Sequence, residues 1–264
     1  MRNAIRLALK VIVGRHPDAF KTALLEARPT WFVQELGKWE NQSWDKFDCQ
    51  DEIKGFEDLI PLFSIGRFNR GIIRLDLDEA VLLYKTVLSL GGSKGLEVGR
   101  GWGGSTLLLA SAVGESGQVI SLELTPSRDE KLSEVLSKAG LAHRVRLLVG
   151  DSRTMHIGVS KLDWVFIDGA REYDVARSDH ERWGRLVREG GYIMHHDTTD
   201  SRPGATCGAE LLGLRNEILS VQSSIVEKYS ESGSLIVLRR LSGAWKPLPP
   251  IESTIKTLAL SCPR

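Results

Sequence analysis

The stretch Leu96-Glu97-Val98-Gly99-Arg100-Gly101-Trp102-Gly103-Gly104-Ser105-Thr106-Leu107-Leu108-Leu109-Ala110 decides the fold. Its short apolar start predicts a buried strand, its glycines predict a tight turn, and the apolar run from Ser105 predicts a helix. Glycines let the backbone approach a ligand closely, and a helix start presents unpaired N–H groups. The order of strand, glycine turn and helix therefore predicts a site for a nucleotide-like ligand.

The carboxylate of Glu97, just before the turn, favours one such ligand over another. It would repel a pyrophosphate but attract an ammonium group. S-adenosyl-L-methionine carries both an amine and a sulfonium cation, and it is the predicted cofactor. The pattern Gly99-x-Gly101-x-x-Gly104, followed by Glu123 at a suitable spacing, also fits a dinucleotide fingerprint, so a nicotinamide cofactor remains an alternative.

Outside this stretch, strands and helices alternate, which predicts an α/β fold with a parallel sheet covered on both faces. Two strand-like runs near the end, Ser224 to Tyr229 and Leu235 to Leu241, predict an antiparallel hairpin. We therefore expect a doubly wound, Rossmann-like, seven-stranded and mostly parallel sheet. We expect strands at 95–99, 118–123, 144–149, 162–168 and 191–197, and helices at 76–90, 105–113, 128–139, 172–188 and 208–219. The predicted domains are an N-terminal helical accessory region (1–75), the main α/β domain (76–245) and a C-terminal tail (246–264).

The bulk properties of the chain narrow the function classes. With 264 residues and a net charge of +1, the chain has no electrostatic footprint for nucleic acid. The cysteines, Cys49, Cys207 and Cys262, lack metal-ligand spacing and predict a reducing compartment without disulfides. No apolar run approaches the roughly 20 residues of a membrane span. We predict a cytoplasmic protein, with a homo-oligomer and a membrane-surface role for the basic segment Met1 to Val13 as open alternatives.

Acidic residues end successive predicted strands, which is the strongest non-local signal in the sequence. Carboxyl ends of parallel strands line the crevice where open α/β sheets bind ligands. Glu123 can accept hydrogen bonds from both ribose hydroxyls of an adenosine. Asp151, with Ser152, can receive the adenine amino group, although a turn-forming Asp after glycine is the alternative. Asp168 and Asp197 end two further strands.

The motif order as a whole resembles that of class I methyltransferases. More narrowly, the chain resembles the bacterial small-molecule O-methyltransferase group related to catechol O-methyltransferase, which includes macrolide-sugar methyltransferases and cephalosporin-hydroxylase-like proteins. The resemblance covers roughly residues 62 to 200. The motifs that carry it, besides the opening stretch, are Ser121-Leu122-Glu123, Gly150-Asp151-Ser152, Val165-Phe166-Ile167-Asp168-Gly169-Ala170-Arg171-Glu172-Tyr173 and His195-His196-Asp197-Thr198.

This resemblance implies a cofactor site and a metal site. It implies that Asp168 and Asp197 hold a divalent ion, usually Mg²⁺, which acidifies the acceptor hydroxyl. Thr198 departs from the pattern, because metal-using relatives carry Asn or Asp there; Asp200 is a substitute only if the loop turns back. The implied cofactor-binding residues are Glu97, Gly99, Gly101, Gly103, Ser105, Glu123, Leu124, Asp151, Ser152 and Asp168.

Position 171 is a second departure from the pattern, because relatives often carry a His or Lys base there. Arginine stays protonated, so Arg171 is expected to bind an acidic substrate group or to pair with Asp168. The available bases are then His196, as first choice, and His195. On an extended strand His195 would share a face with Asp197 and His196 would point away from it. His180 is expected to be a packed residue.

These observations predict an adenosylmethionine-dependent O-methyltransferase. Its acceptor would be a hydroxyl of a small molecule or sugar, from a natural product or a glycan, held by residues 1–90 and 198–215. Two alternatives remain open at this point: a nicotinamide-dependent oxidoreductase, and a catalytically silent adenosylmethionine-binding scaffold. The second alternative is suggested by Arg171 and Thr198.

Overall fold

The computed structural model of the chain describes residues 52–63, 72–198 and 208–250. The predicted helix at the N-terminus, most of the accessory region, Asp200 and the end of the C-terminal tail lie outside the described residues. The chain divides into two compact units, Met1–Asp151 and Ser152–Arg264, which are described separately below.

The first unit carries three parallel strands in the order β3-β2-β1. Helix α2 begins with a capping box, in which the backbone N–H of Asp76 donates to Oε2 of Glu79 at 3.0 Å, and this fixes the predicted start of the helix. The elements are α1 (Phe56–Leu59), a 3₁₀ turn (Ile60–Leu62), α2 (Leu77–Leu88), β1 (Lys94–Val98), α3 (Gly104–Ala112), β2 (Gln118–Glu123), α4 (Asp129–Lys138), a second 3₁₀ turn (Ala142–Arg144) and β3 (Val145–Val149).

The second unit carries four strands in the order β4-β5-β7-β6. Strands β4 and β5 are parallel, whereas β7 runs antiparallel to both β5 and β6, so the predicted terminal hairpin is present. The elements are β4 (Leu162–Ile167), α5 (Tyr173–Gly184), β5 (Val187–His195), α6 (Gly208–Val221), β6 (Val226–Ser232) and β7 (Leu235–Arg240).

Strand β5 differs from its predicted range at both ends. It begins at Val187 instead of 191, because Gly191 lets it lie against β4: a Cβ at Gly191 would come within 2.3 Å of the carbonyl oxygen of Asp163. The glycine pair 190–191 therefore marks an irregular strand start and not a loop. The strand ends at His195, two residues earlier than predicted, and this shorter end changes the site described below.

The predicted fold class is confirmed: the chain forms a seven-stranded, mostly parallel sheet with alternating helices. The core strands are almost fully apolar on both faces, as in sheets that helices cover, with Leu96, Ile120, Val165 and Ile193 fully buried. Within the described ranges no helix combines the length and apolar character needed to cross a membrane.

Candidate functional site

The glycine turn between β1 and α3 adopts the backbone that its sequence predicts. Gly99, Gly101 and Gly103 have φ angles of 86°, 51° and 88°, in the left-handed region that favours glycine. The N–H of Gly103 donates to the carbonyl of Arg100 at 2.7 Å and closes the turn. Helix α3 then begins at Gly104, and no side chain among the described residues caps its first N–H groups.

Glu97 is fully buried at the base of this turn. Its Oε2 accepts hydrogen bonds from the hydroxyls of Thr106, at 2.5 Å, and Ser121, at 2.6 Å. Its Oε1 is buried and has no hydrogen-bond partner among the described residues. Burial raises the pKa of Glu97, and the hydroxyl hydrogen bonds only partly oppose the shift. A buried carboxylate oxygen without a donor is suited to a cationic ligand group such as an ammonium.

Glu123 ends β2 beside the same turn, as predicted. Its carboxylate accepts the N–H of Gly101 at 2.8 Å and the N–H of Thr125 at 3.1 Å. It therefore links the turn to the β2 end and keeps lone pairs for further donors. Leu124 is exposed, and Ser105 and Asp151 are half-buried, all in the first unit, whereas Ser152 and Asp168 belong to the second unit.

Arg100 is a structural residue of this site to which the sequence analysis assigned no role. Its side chain is buried, and its guanidinium donates to the carbonyls of Ser121 at 2.9 Å and Leu148 at 2.8 Å. It also forms a bidentate ion pair with Asp129 in the first turn of α4. One side chain thus fixes β2, β3 and α4 beside the glycine turn. The feature of the sequence that could have indicated this role is a charged residue placed between two glycines.

In the second unit, Asp168, His196 and Asp197 lie together. Nδ1 of His196 is 3.1 Å from Oδ1 of Asp168 and 3.6 Å from Oδ1 of Asp197. Arg171, which is mostly exposed, pairs with Oδ2 of Asp197 at 2.7 Å. Burial raises the pKa of Asp168, and the hydrogen bond from His196 opposes the shift. One atom from each of Asp168, His196 and Asp197 could contact a common cation, because these atoms lie within 4.8 Å of one another.

The predicted alternation of side chains at the end of β5 is wrong. The strand ends at His195, and Asp197 adopts a left-handed backbone with φ 57°. This turn brings His196 and Asp197 to the same cluster. Thr198 is tied to the turn between β6 and β7, because its N–H and its hydroxyl both donate to the carbonyl of Ser234, at 2.9 Å and 2.8 Å.

His195 contacts His180 and lies outside the acidic cluster. Its Nε2 is 3.0 Å from Nδ1 of His180, whose Nε2 is 2.8 Å from Oε1 of Gln222. The amide nitrogen of Gln222 donates to the carbonyl of Lys246 at 2.7 Å. His180 is fully buried, as expected for a packed residue, and burial lowers its pKa to about 4. Burial also lowers the pKa of His195 well below its usual value.

A pocket in the second unit is lined by the acidic cluster and by aliphatic residues. Arg171, His195, Thr198 and Arg215 add further polar groups to its lining. The aliphatic lining includes Ile167, Ala176, Leu211, Leu214, Ile218, Ile236 and Leu238.

Part of the chain, which includes the residues of this site, is similar to a known protein family. A family described as a methyltransferase domain matches residues 96–198, a range that includes the glycine turn, Glu123 and the acidic cluster. This part of the chain is therefore similar to methyltransferase domains.

The curated proteins similar to this chain include O-methyltransferases. Catechol O-methyltransferase of Mycobacterium tuberculosis is 36% identical over 102 residues, covering 38% of this chain and 45% of the relative. Tricin synthase 1 of Oryza sativa subsp. japonica is 32% identical over 142 residues, covering 48% of this chain and 54% of the relative. The chain thus spans about half the length of these curated relatives.

A solved structure supports the fold. The O-methyltransferase TomG from Streptomyces achromogenes, in complex with SAM, aligns with a TM-score of 0.52 and 21% identity. The alignment covers 64% of this chain and 82% of TomG. The class I methyltransferase fold predicted from the motif order is therefore confirmed.

Proposed function

We propose that the chain is an S-adenosylmethionine-dependent O-methyltransferase that methylates a hydroxyl group of a small molecule or sugar. The observation that carries this proposal is the buried, unpartnered Oε1 of Glu97 at the base of the glycine turn. A cofactor ammonium would provide the missing donor, and a pyrophosphate would leave the carboxylate uncompensated. The family match and the O-methyltransferase relatives support the same activity.

Adenosylmethionine supplies an electrophilic methyl group on a sulfonium when it is bound. On the cofactor side, Glu97 binds the amine, Glu123 accepts hydrogen bonds from the ribose hydroxyls, and the left-handed glycines leave room for the ligand. The remaining predicted contacts, from Leu124, Asp151, Ser152 and Asp168, are proposed on the same resemblance. Methyl transfer depends strongly on holding the acceptor oxygen in attack geometry, with a smaller contribution from a base.

On the acceptor side, Asp168 and His196 form a dyad that can take a proton. If the carboxylate of Asp168 accepts the Nδ1–H of His196, then Nε2 is the unprotonated and basic nitrogen. Nε2 lies 3.3 Å from the hydroxyl of Ser234. His196 at Nε2 is therefore the proposed proton acceptor, and Asp168 holds its ring in the required tautomer. We keep His195 as a residue of the pocket wall, because its Nε2 is engaged with His180.

The acceptor pocket favours a compound that combines an apolar face with a hydroxyl group. Leu211, Leu214 and Ile236 offer aliphatic walls, whereas the dyad offers a polar end. An aromatic alcohol fits this combination, and a sugar hydroxyl is the second substrate class that we propose to test. Leu211, Leu214 and Thr198 fall in the 198–215 range predicted to hold the acceptor.

Cofactor binding gives the first test. We expect the purified chain to bind adenosylmethionine with a micromolar dissociation constant, roughly −8 kcal/mol, and not to bind NADH. Glu123→Ala should weaken binding by about 1–3 kcal/mol, because it removes charge-assisted hydrogen bonds to the ribose. Titration calorimetry measures both values. Glu130→Ala, which removes an exposed carboxylate in the first turn of α4, is the matched control.

The proposal of an active enzyme is tested separately from binding. Transfer of labelled methyl from adenosylmethionine to catechol, to caffeic acid or to a panel of sugars would establish the activity and its substrate class. Tight adenosylmethionine binding without transfer to any member of the panel would favour the silent scaffold instead. Tight NADH binding without adenosylmethionine binding would overturn the proposed function.

Metal assistance is a further proposal about the acidic cluster. Two carboxylates and one imidazole suit Mn²⁺ at least as well as Mg²⁺, which prefers oxygen ligands. Metal binding competes with two contacts seen here, the Arg171–Asp197 ion pair and the hydrogen bond between His196 and Asp168. When bound, the ion would acidify the acceptor hydroxyl.

We therefore expect a chelator to lower the methyl transfer rate by at least about tenfold, with Mn²⁺ or Mg²⁺ restoring it. Arg171→Ala should tighten Mn²⁺ binding, measured by titration calorimetry, because it removes a cation that competes for Asp197. Arg215→Ala, which removes a positive charge from the same pocket, should not. Full activity in excess chelator would instead show a metal-free site in which Arg171 provides the positive charge.

Three coarser features complete the proposal. The division into an accessory region (1–75), a methyltransferase domain (76–245) and a tail (246–264) stays a prediction. A cytoplasmic location is proposed from the scattered cysteines, and small-molecule recognition without nucleic acid is proposed from the balanced charge. The formation of a homo-oligomer can be tested by measuring the mass of the protein in solution.

A further inference from the structure

A tryptophan in the glycine turn stacks against an arginine from another segment of the first unit. The guanidinium carbon of Arg74 lies 3.6 Å from the centroid of the Trp102 ring, whereas that of Arg128 lies 5.3 Å away. A guanidinium stacked at such a distance directs its N–H donors outward in its own plane. Arg74 is exposed, so its guanidinium is accessible from solvent.

The segment that carries Arg74 is held directly against the start of α3. A Cβ on Gly104 would lie 2.1 Å from the carbonyl oxygen of Ile72 and 2.8 Å from Cα of Ile73. This close approach is available only to glycine. Ile72 and Ile73 are buried, which fixes the backbone immediately before Arg74. Two independent contacts, at Gly104 and at Trp102, thus keep Arg74 at the glycine turn.

At the base of the same turn, the buried Oε1 of Glu97 has no hydrogen-bond donor in the part of the chain that the structure describes, so a cationic group could supply one. A free amino-acid group carries an ammonium and a carboxylate on one carbon. A site that binds the ammonium must therefore also accommodate the carboxylate. Arg100 cannot serve the carboxylate, because its guanidinium is buried and bonded to Asp129 and two carbonyls. Among the described arginines beside the turn, Arg74 combines exposure with a fixed position.

We infer that Arg74 binds the carboxylate of the methionine moiety of the cofactor, and that Trp102 is a positioning residue that holds the guanidinium flat. This inference rests on the proposed function, since it takes adenosylmethionine as the ligand. It adds a second charged contact to the one at Glu97. Together the two contacts select a ligand with an intact amino-acid group over a nucleoside alone.

Titration calorimetry on the full chain with two ligands tests the inference. Decarboxylated S-adenosylmethionine keeps the ammonium and the sulfonium but lacks the carboxylate. Arg74→Met should weaken adenosylmethionine binding about ten- to a hundredfold and leave binding of the decarboxylated ligand nearly unchanged. Arg128→Met is the matched control, because it removes the other cation near Trp102, and it should leave the ratio of the two affinities as in the wild type.

Arg74→Lys provides a second variant, since it keeps the charge but loses the planar stack, and it should give an intermediate ratio. An unchanged ratio in both Arg74 variants, or an equal loss for both ligands, would overturn the inference while leaving the proposed function intact. If the wild type binds neither ligand, the proposed function itself fails. Circular dichroism of each variant reports whether it is folded.

Discussion

Replacing His196 by alanine is expected to lower the turnover of methyl transfer by about 10²–10⁴-fold, while adenosylmethionine affinity stays nearly unchanged. The imidazole has Nδ1 3.1 Å from Asp168 and Nε2 3.3 Å from the hydroxyl of Ser234, and we propose that it faces the acceptor. Its loss removes the proposed proton acceptor and leaves the proposed cofactor contacts at Glu97 and Glu123 in place. Initial rates with the best acceptor of the panel, together with calorimetry, separate the two effects.

Two further variants make the His196 experiment specific. His156→Ala removes an exposed histidine of the same unit and should leave the rate unchanged. Asp168→Asn keeps the size of the side chain but no longer favours the Nε2 base, so its rate should fall as well. A wild-type rate in His196→Ala would reject the dyad and leave solvent or Asp168 as the proton acceptor.

The sequence was sufficient to predict the parts of the site that depend on local pattern. The glycine turn follows from residues 99–104 alone, because their φ angles require glycine. Glu123 and Asp168 were predicted at strand ends, and strands β2 and β4 do end at Glu123 and Ile167. Short-range periodicity sets each of these features, so no long-range information was needed.

The sequence did not predict the features of the site that depend on contacts between distant segments. Arg100 bonds to Leu148 and Asp129, and Arg74 stacks on Trp102, yet no local pattern encodes either pairing. The wrong prediction that His195, and not His196, lies beside Asp197 had a different cause. Strand periodicity was extended two residues too far, and the left-handed backbone at Asp197 turns the chain before the alternation can continue.

Acidification is expected to destabilise the fold through the buried histidines His180 and His195. Burial lowers the pKa of His180 to about 4, and burial followed by the nearby His180 lowers that of His195 well below its usual value. In the unfolded chain the pKa of each of these histidines is about 6.5. Between these values the unfolded state binds more protons than the folded state, so the free energy of unfolding must fall as the pH falls.

The stabilising contribution of the neutral histidines is therefore fully present above about pH 6.5 and is lost as the pH falls toward about 4. For His180 alone, the shift corresponds to about 3 kcal/mol across this window. Urea unfolding at a series of pH values measures it. His180→Gln, which keeps a polar partner for Gln222, should flatten the dependence, whereas His143→Gln, at an exposed position, should not. An equally steep pH dependence in His180→Gln would show that other groups, such as the acidic cluster, control the acid sensitivity.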